Sequence, residues 1–375
     1  VIILDEATSS VDTRTEAEIN KAMKKLMKGN YALAEGALRA GCRMFAGYPI
    51  TPQTEILEYM SSHMPEAGGD FVQTESELAG INMVIGAAAA GQRAMTSSSG
   101  PGFSLKQEGI SYLCSMELPA VIVDVMRYGI GLGNVVLGQA DYFQATKGGG
   151  HGGYKLPVYA PASVQENADF VFRAFDVAEK YRTPVVILSD AAIGQMMGSV
   201  ELPAPIEHNI DKFPWTLKGR DAEHPTGRKM TDVIYYDYAY DDYDPHIRAR
   251  YGRMHDELQE WEEVQCEDAE LLLVAYGISS RVCKEALKIG RGEGLKIGLL
   301  RPITLYPFPK KQIAELAARG VKGFLSAELN AGQMVEDVRL AVNGKAPVEH
   351  YGRQGGMMFN PDEVLDALKE KLIKK

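Results

Sequence analysis

Three short runs between Gly47 and Leu105 hold the residue types that small-molecule chemistry needs: GYPITPQTEI at 47–56, QTESELAGINMVIGAAAAG at 73–91 and TSSSGPGFSL at 96–105. Glu77 stands just ahead of an apolar helical face made by Leu78, Ile81, Val84, Ile85 and Ala88. A carboxylate there can do two things. It can close its own helix as the last member of a Thr74-Glu75-Ser76-Glu77 capping box, or it can exchange a proton in a dry pocket. Both readings fit the spacing. Upstream, apolar Met44-Phe45-Ala46 runs into Gly47-Tyr48-Pro49, and Thr51-Pro52 then opens a helix over 52–63. Thr51 suits the N-cap, and Pro52 the first turn, where its missing N–H has no helical partner to lose. The free N–H groups and positive end of such a helix suit a small carboxylate ligand.

Other residues narrow the chemistry by their placement. The four cysteines, Cys42, Cys114, Cys266 and Cys283, form no C-x-x-C. That spacing argues against an iron–sulfur cluster or zinc site in this chain and fits a reducing, cytoplasmic compartment. His208, His224, His246 and His255 also lack ligand spacing. A net charge of −10 speaks against nucleic acid or an anionic membrane as partner. No apolar run reaches the length of a membrane span, and no signal peptide is apparent. The chain opens on Val1 rather than Met, which fits a fragment or a fused product.

The elements that must position these residues alternate. With 375 residues there is room for two cores. Residues 29–203 read as helix 30–40, strand 43–47, helix 52–63, extended 71–73, helix 75–90, strand 93–97, helix 103–115, strand 119–126, helix 163–180 and strand 184–189. Such alternation implies a parallel sheet with helices on both faces, an α/β class. The glycine-rich loop 127–154 is too long to be a simple connector. Residues 204–264 read as a linker with packed aromatics and a charged helix over 246–263. A second, smaller α/β unit over 265–375 ends in a helix from Pro361 capped by Asn360 and Glu363.

Five separated blocks carry a family resemblance: GYPITPQTEI, ESELAGINMVIGAA, ADYFQATKGGGHGGY (140–154), RPITLYPFP (301–309) and NAGQMVEDVRLAVNG (330–344). In this order they resemble the alpha subunit of the 2-oxoacid:ferredoxin oxidoreductases, nearest the 2-oxoisovalerate type and next the 2-oxoglutarate type. The resemblance implies a pyrimidine-type thiamine diphosphate-binding domain followed by a transketolase C-terminal-like domain. It implies that Glu77 hydrogen-bonds the cofactor's pyrimidine as the catalytic carboxyl and that Pro49 lines the cofactor. It further implies that Thr51 donates to the 2-oxoacid and that Arg127 faces the substrate carboxylate. The sequence here is RYGIGLG where the family would have RGGPGLG, so Tyr128 and Ile130 alter the loop around Arg127.

The G-D-G…N motif that holds diphosphate through magnesium is absent; AGGD at 67–70 lacks the residues that should follow. By the resemblance, a beta subunit supplies the diphosphate and magnesium half of the site. Gamma and ferredoxin-like delta subunits carry the iron–sulfur clusters, with coenzyme A as co-substrate and ferredoxin as electron acceptor. Pyruvate and 2-oxoglutarate stay open as substrates, and so does a non-catalytic assembly subunit. Residues 1–28 stand apart. VIILDEATSSVDTRTE resembles the Walker B strand and D-loop of an ABC transporter ATPase, in which Asp5 and Glu6 would handle magnesium and water, yet no phosphate-binding G-x-x-x-x-G-K-[ST] exists to serve them. This piece reads as a foreign extension, an extended run followed by a helix over 15–27.

Overall fold

The computed structural model describes residues 25–234 and 238–374. Strand β1 (Lys25–Lys28) leads into α1 (Gly29–Arg39), β2 (Met44–Gly47), α2 (Thr54–Glu66), β3 (Asp70–Gln73), α3 (Glu77–Ala89), β4 (Ala94–Ser98), α4 (Pro101–Ser115) and β5 (Val121–Met126). A short α5 (Tyr142–Thr146) interrupts the long loop, and β6 (Val158–Tyr159), α6 (Val164–Tyr181), β7 (Val185–Asp190), α7 (Ala191–Gln195) and β8 (Met197–Val200) follow. Beyond the linker come α8 (Asp244–Glu257), β9 (Trp261–Val264), β10 (Leu271–Val274), α9 (Gly277–Gly292), β11 (Ile297–Pro302) and β12 (Thr304–Tyr306). The chain closes with α10 (Lys310–Ala318), β13 (Gly323–Glu328), α11 (Met334–Val342), β14 (Val348–Gly352) and α12 (Pro361–Leu368).

A seven-stranded sheet in the order β12-β6-β7-β5-β4-β2-β3 forms the larger layer, parallel throughout except at β12. Strand β5 reads VIVDVM and is buried along its whole length, as a central parallel strand covered on both faces must be. Its neighbours' side chains alternate between two cores. Ile122, Val186 and Leu188 pack with Ile81, Val84, Phe103 and Ile110 beneath α3 and α4, whereas Val121, Val123 and Ile187 pack with Leu33, Ile56, Met60 and Phe175 beneath α1, α2 and α6. A five-stranded sheet, β14-β13-β10-β11-β9, forms the second layer system, with β9 antiparallel at its edge. No helix among the described residues is long and apolar enough to cross a membrane.

Four differences from the sequence reading have physical causes. The helix expected over 15–27 lies outside the described residues as far as 24, as do Asp5 and Glu6, but its end is strand β1, paired antiparallel with β8. Leu26 is 67% exposed and Met27 only 4%, which is the two-residue alternation of a strand. The charged helix stops at Glu257, and Trp261–Val264 pairs with β11, so the expected linker's last residues belong to the second sheet. Strand β12 leaves the second unit to pair with β6 at the edge of the first sheet. Finally, α2 starts at Thr54 rather than Pro52: the Thr51–Pro52 bond is cis, Gln53 holds the N-cap position, and Thr51 caps nothing.

Candidate active site

The carboxyl ends of four adjacent parallel strands, β3, β2, β4 and β5, release the turns that carry Pro49, Thr51, Glu77 and Arg127. In open α/β sheets this is the crevice where ligands bind. The β2–α2 turn is held from several sides. Gln53, fully buried, donates to the Tyr48 carbonyl at 3.0 Å and accepts from Ser97 at 2.5 Å. Asn30 and Gln195 both donate to the Pro52 carbonyl, at 2.8 and 3.1 Å. Pro49 and Thr51 are thus displayed on a backbone fixed from beneath.

Glu77 is not the capping-box residue the spacing suggested. Helix α3 begins at Glu77, and its N-cap is Ser76, whose hydroxyl accepts from the Ala79 N–H at 3.2 Å. Thr74 instead donates to the Ser76 carbonyl at 2.8 Å. Glu77 is 6% exposed, and none of the described residues donates a hydrogen bond to its carboxylate. The carboxylate faces a bare backbone: a Cβ at Gly102 would lie 2.3 Å from Glu77 Oε1 and 2.2 Å from Ser98 Oγ, so any larger residue would push both groups from these positions. The Ser98 hydroxyl is itself buried without a partner. An orphaned carboxyl beside an orphaned hydroxyl, over a glycine, fits a flat ring with hydrogen-bonding nitrogens, as in the aminopyrimidine of thiamine diphosphate.

Arg127 follows β5 and is 5% exposed. It donates to the Thr51 carbonyl at 2.9 Å and the Leu132 carbonyl at 2.7 Å, so Thr51 and Arg127 meet, while Pro49 joins them only through the shared turn. The altered RYGIGLG loop still closes. Tyr128 N–H donates to Val136, Asn134 N–H donates back to Tyr128, and Ile130 is left 98% exposed at the tip.

Sequence reasoning missed a carboxyl pair under this arginine. Asp124, on β5, and Asp141, at the far end of the loop, are both buried. Burial pushes Asp124 well above the usual carboxylate range, with the Asp141 charge adding to the effect. Burial also raises Asp141, to about 6, against the pull of Asp124 and Arg127. Neither oxygen of Asp124 has a donor of its own, so one proton carried by Asp124 and shared with Asp141 resolves the conflict. The remaining negative charge balances Arg127. Gln139 in the same loop is a second omission: it bonds Tyr276, Ser279, Leu329 and Asn330, so the NAGQMVED block of the second unit braces the loop that bears Arg127. A fully buried apolar strand with one aspartate, and a lone glutamine in a loop, carried no local signal for either.

Residues 35–263 match the family model described as "Pyruvate flavodoxin/ferredoxin oxidoreductase, thiamine diP-bdg", and residues 269–364 match pyruvate:ferredoxin oxidoreductase core domain II. A ketoisovalerate oxidoreductase subunit VorB from Methanothermobacter thermautotrophicus is 49% identical over 348 residues, covering 92% of this chain and 97% of that one. A 2-oxoglutarate synthase subunit KorA from Methanocaldococcus jannaschii is 37% identical over 366 residues, covering 92% and 99%. Among solved structures, 2-oxoglutarate:ferredoxin oxidoreductase from Magnetococcus marinus, with 2-oxoglutarate, coenzyme A and succinyl-CoA bound, superposes with a TM-score of 0.80 at 27% identity. That match covers 93% of this chain and 65% of the longer one.

Proposed function

This chain belongs to the pyruvate flavodoxin/ferredoxin oxidoreductase family, and from that membership we propose that it is the alpha subunit of a 2-oxoacid:ferredoxin oxidoreductase acting on 3-methyl-2-oxobutanoate. The overall reaction converts the 2-oxoacid, coenzyme A and oxidised ferredoxin to an acyl-coenzyme A, carbon dioxide and reduced ferredoxin. The observation that carries the reading is the Glu77 carboxylate: buried, free of any described donor and backed by Gly102. A mere cap would be spent on its own helix, and here Ser76 does that work.

With the cofactor bound, Glu77 would hydrogen-bond a pyrimidine nitrogen and exchange a proton with it, an exchange that would favour the reactive tautomer. Thiamine diphosphate, when bound, supplies the carbon nucleophile that attacks the 2-oxo group. Arg127, already fixed by two carbonyls, keeps N–H groups for the substrate carboxylate. The Thr51 side chain, exposed and freed from capping, can donate to the same acid.

The chain offers only one wall of this site. Exposed Leu78, Leu105, Ile130 and Leu132 flank Glu77 and Arg127, as expected where a second subunit closes over them. We assign that wall, with the magnesium and diphosphate contacts, to a beta subunit. The iron–sulfur centres fall to gamma and ferredoxin-like delta subunits, in the cytoplasm, where four free, buried thiols are at home. The test is co-expression with a beta subunit and a screen of 2-oxoacids for coenzyme A-dependent viologen reduction. Highest kcat/KM for 3-methyl-2-oxobutanoate supports the reading. Preference for 2-oxoglutarate or pyruvate replaces the substrate, and no turnover with any acid overturns the enzyme assignment.

A further inference from the structure

One buried charge touches Glu77 and has no part in the mechanism above. Lys106, on the second turn of α4, is completely buried. Its Nζ donates to the Thr96 hydroxyl at 3.0 Å and to the backbone carbonyl of Glu77 at 3.2 Å. A lysine serving only to fill space is an expensive choice here, because a long apolar side chain would avoid desolvating a charge. We propose that Lys106 is a positioning residue for Glu77: it anchors the first turn of α3 and keeps a positive charge beside the residue that would meet the ring. The proposal rests on the reading of Glu77 as the pyrimidine-binding carboxyl.

The surroundings make the pairing specific. From α3 the ammonium faces Glu77, and from β4 it meets Thr96. From β2 and the β3–α3 turn, the Ala46 carbonyl and the Thr74 hydroxyl crowd the same spot around Gly80. Burial pushes the Lys106 amine down to about 8, and the charge of Glu77 opposes that fall. The Asp124–Asp141 pair lies at Gly100, one turn of chain from the Gly102 backbone that touches Glu77.

The test uses the reconstituted complex carrying thiamine diphosphate, without 2-oxoacid. Near-ultraviolet circular dichroism separates the amino and imino forms of the bound pyrimidine, and their ratio is followed against pH for wild type, K106M, K106R and E77Q. Loss of a positive charge beside the ring site favours the more protonated form of the bound pyrimidine, so the midpoint in K106M moves up by about one pH unit. K106R stays near wild type. Thermal unfolding supplies a second readout. Between about 8 and the ordinary 10.5 the unfolded chain binds the proton that the folded one has released, so the stability contributed by Lys106 rises with pH across that window, and the difference between wild type and K106M grows there. Should K106M fail to assemble, K106Q, neutral and still able to donate to the Glu77 carbonyl, takes its place in both readouts. An unmoved midpoint in K106M with E77Q shifted, or a stability difference between wild type and K106M that stays flat with pH, overturns the role of Lys106 alone. An unmoved midpoint in E77Q overturns the thiamine reading, and this inference with it.

Discussion

Replacing Glu77 by glutamine tests the site with little disturbance to the fold. The amide has nearly the shape of the carboxyl, and helix α3 keeps its cap because Ser76 provides it. No hydrogen bond from a described residue is lost. What disappears is the negative charge facing the Lys106 ammonium, and that ammonium has a way out. With its affinity held near 8, releasing its proton at pH 7 costs about 1.4 kcal/mol, which caps the destabilisation at about that amount. In rate the consequence is larger. An amide cannot exchange a proton with the ring, and a positioned acid–base group typically contributes 10²- to 10⁴-fold, or about 2.7–5.4 kcal/mol of barrier. The assay pairs thermal unfolding of the variant with steady-state 2-oxoacid-dependent viologen reduction by the reconstituted complex. The expected result is a rate at least about a hundredfold lower with Tm reduced by a few degrees at most. A rate within a few-fold of wild type would refute the catalytic role of Glu77 and with it the main support for a thiamine site on this chain.

Arg127→Lys should raise KM for the 2-oxoacid about ten- to a hundredfold, since an ammonium cannot span the Thr51 and Leu132 carbonyls and still present an edge to substrate; an unchanged KM removes Arg127 from substrate binding. Asp124→Asn should fold, because an amide can donate to Asp141 as the shared proton does, whereas Asp124→Leu leaves Asp141 unpartnered and should lose the loop's order, seen as increased proteolysis after Arg127. The pair binds its proton more tightly folded than unfolded, so its contribution to stability falls as pH rises from the usual 3.8 through about 6 and beyond, and Asp124→Asn should remove that contribution from the wild-type profile. Identical pH profiles would show that the two carboxyls are not coupled. Deleting residues 1–24, which stops short of β1, should leave assembly and turnover intact. A loss above about tenfold, or ~1.4 kcal/mol, would assign that segment a role.

Much of this was legible because local and global signals agreed. Apolar periodicity placed most helices and central strands of the first unit, and Asn360 caps α12 with Glu363 as the sequence suggested. Legibility failed where a decision depended on contacts distant along the chain. Thr74 and Ser76 are both competent caps two residues apart, and only the folded backbone selects Ser76, which changes Glu77 from a helix end to a free acid. Asp124 and Asp141 are separated by a loop whose closing contacts, Tyr128 to Val136 and Asn134 to Tyr128, leave no mark in the residue pattern. Lys106 sits in the polar-looking run SLKQE, yet the turn of α4 carries it into the interior. The two small edge strands β1 and β12 were missed because four- and three-residue segments have too little pattern to read.

The strand exchange at β12 bears on how this protein can be divided. A cut near residue 264 looks natural, since it falls between the two family matches, at 263 and 269. The N-terminal piece so made would lack Thr304–Tyr306, and β6 would become a bare rim with unpaired N–H and C=O groups open to any passing strand. It would also lose the Asn330, Leu329 and Ser279 contacts that hold Gln139. Expressed alone, that half should therefore self-associate or be degraded, and mixing separately refolded halves should recover less soluble protein than co-translation. The two units are modular in ancestry but not in manufacture.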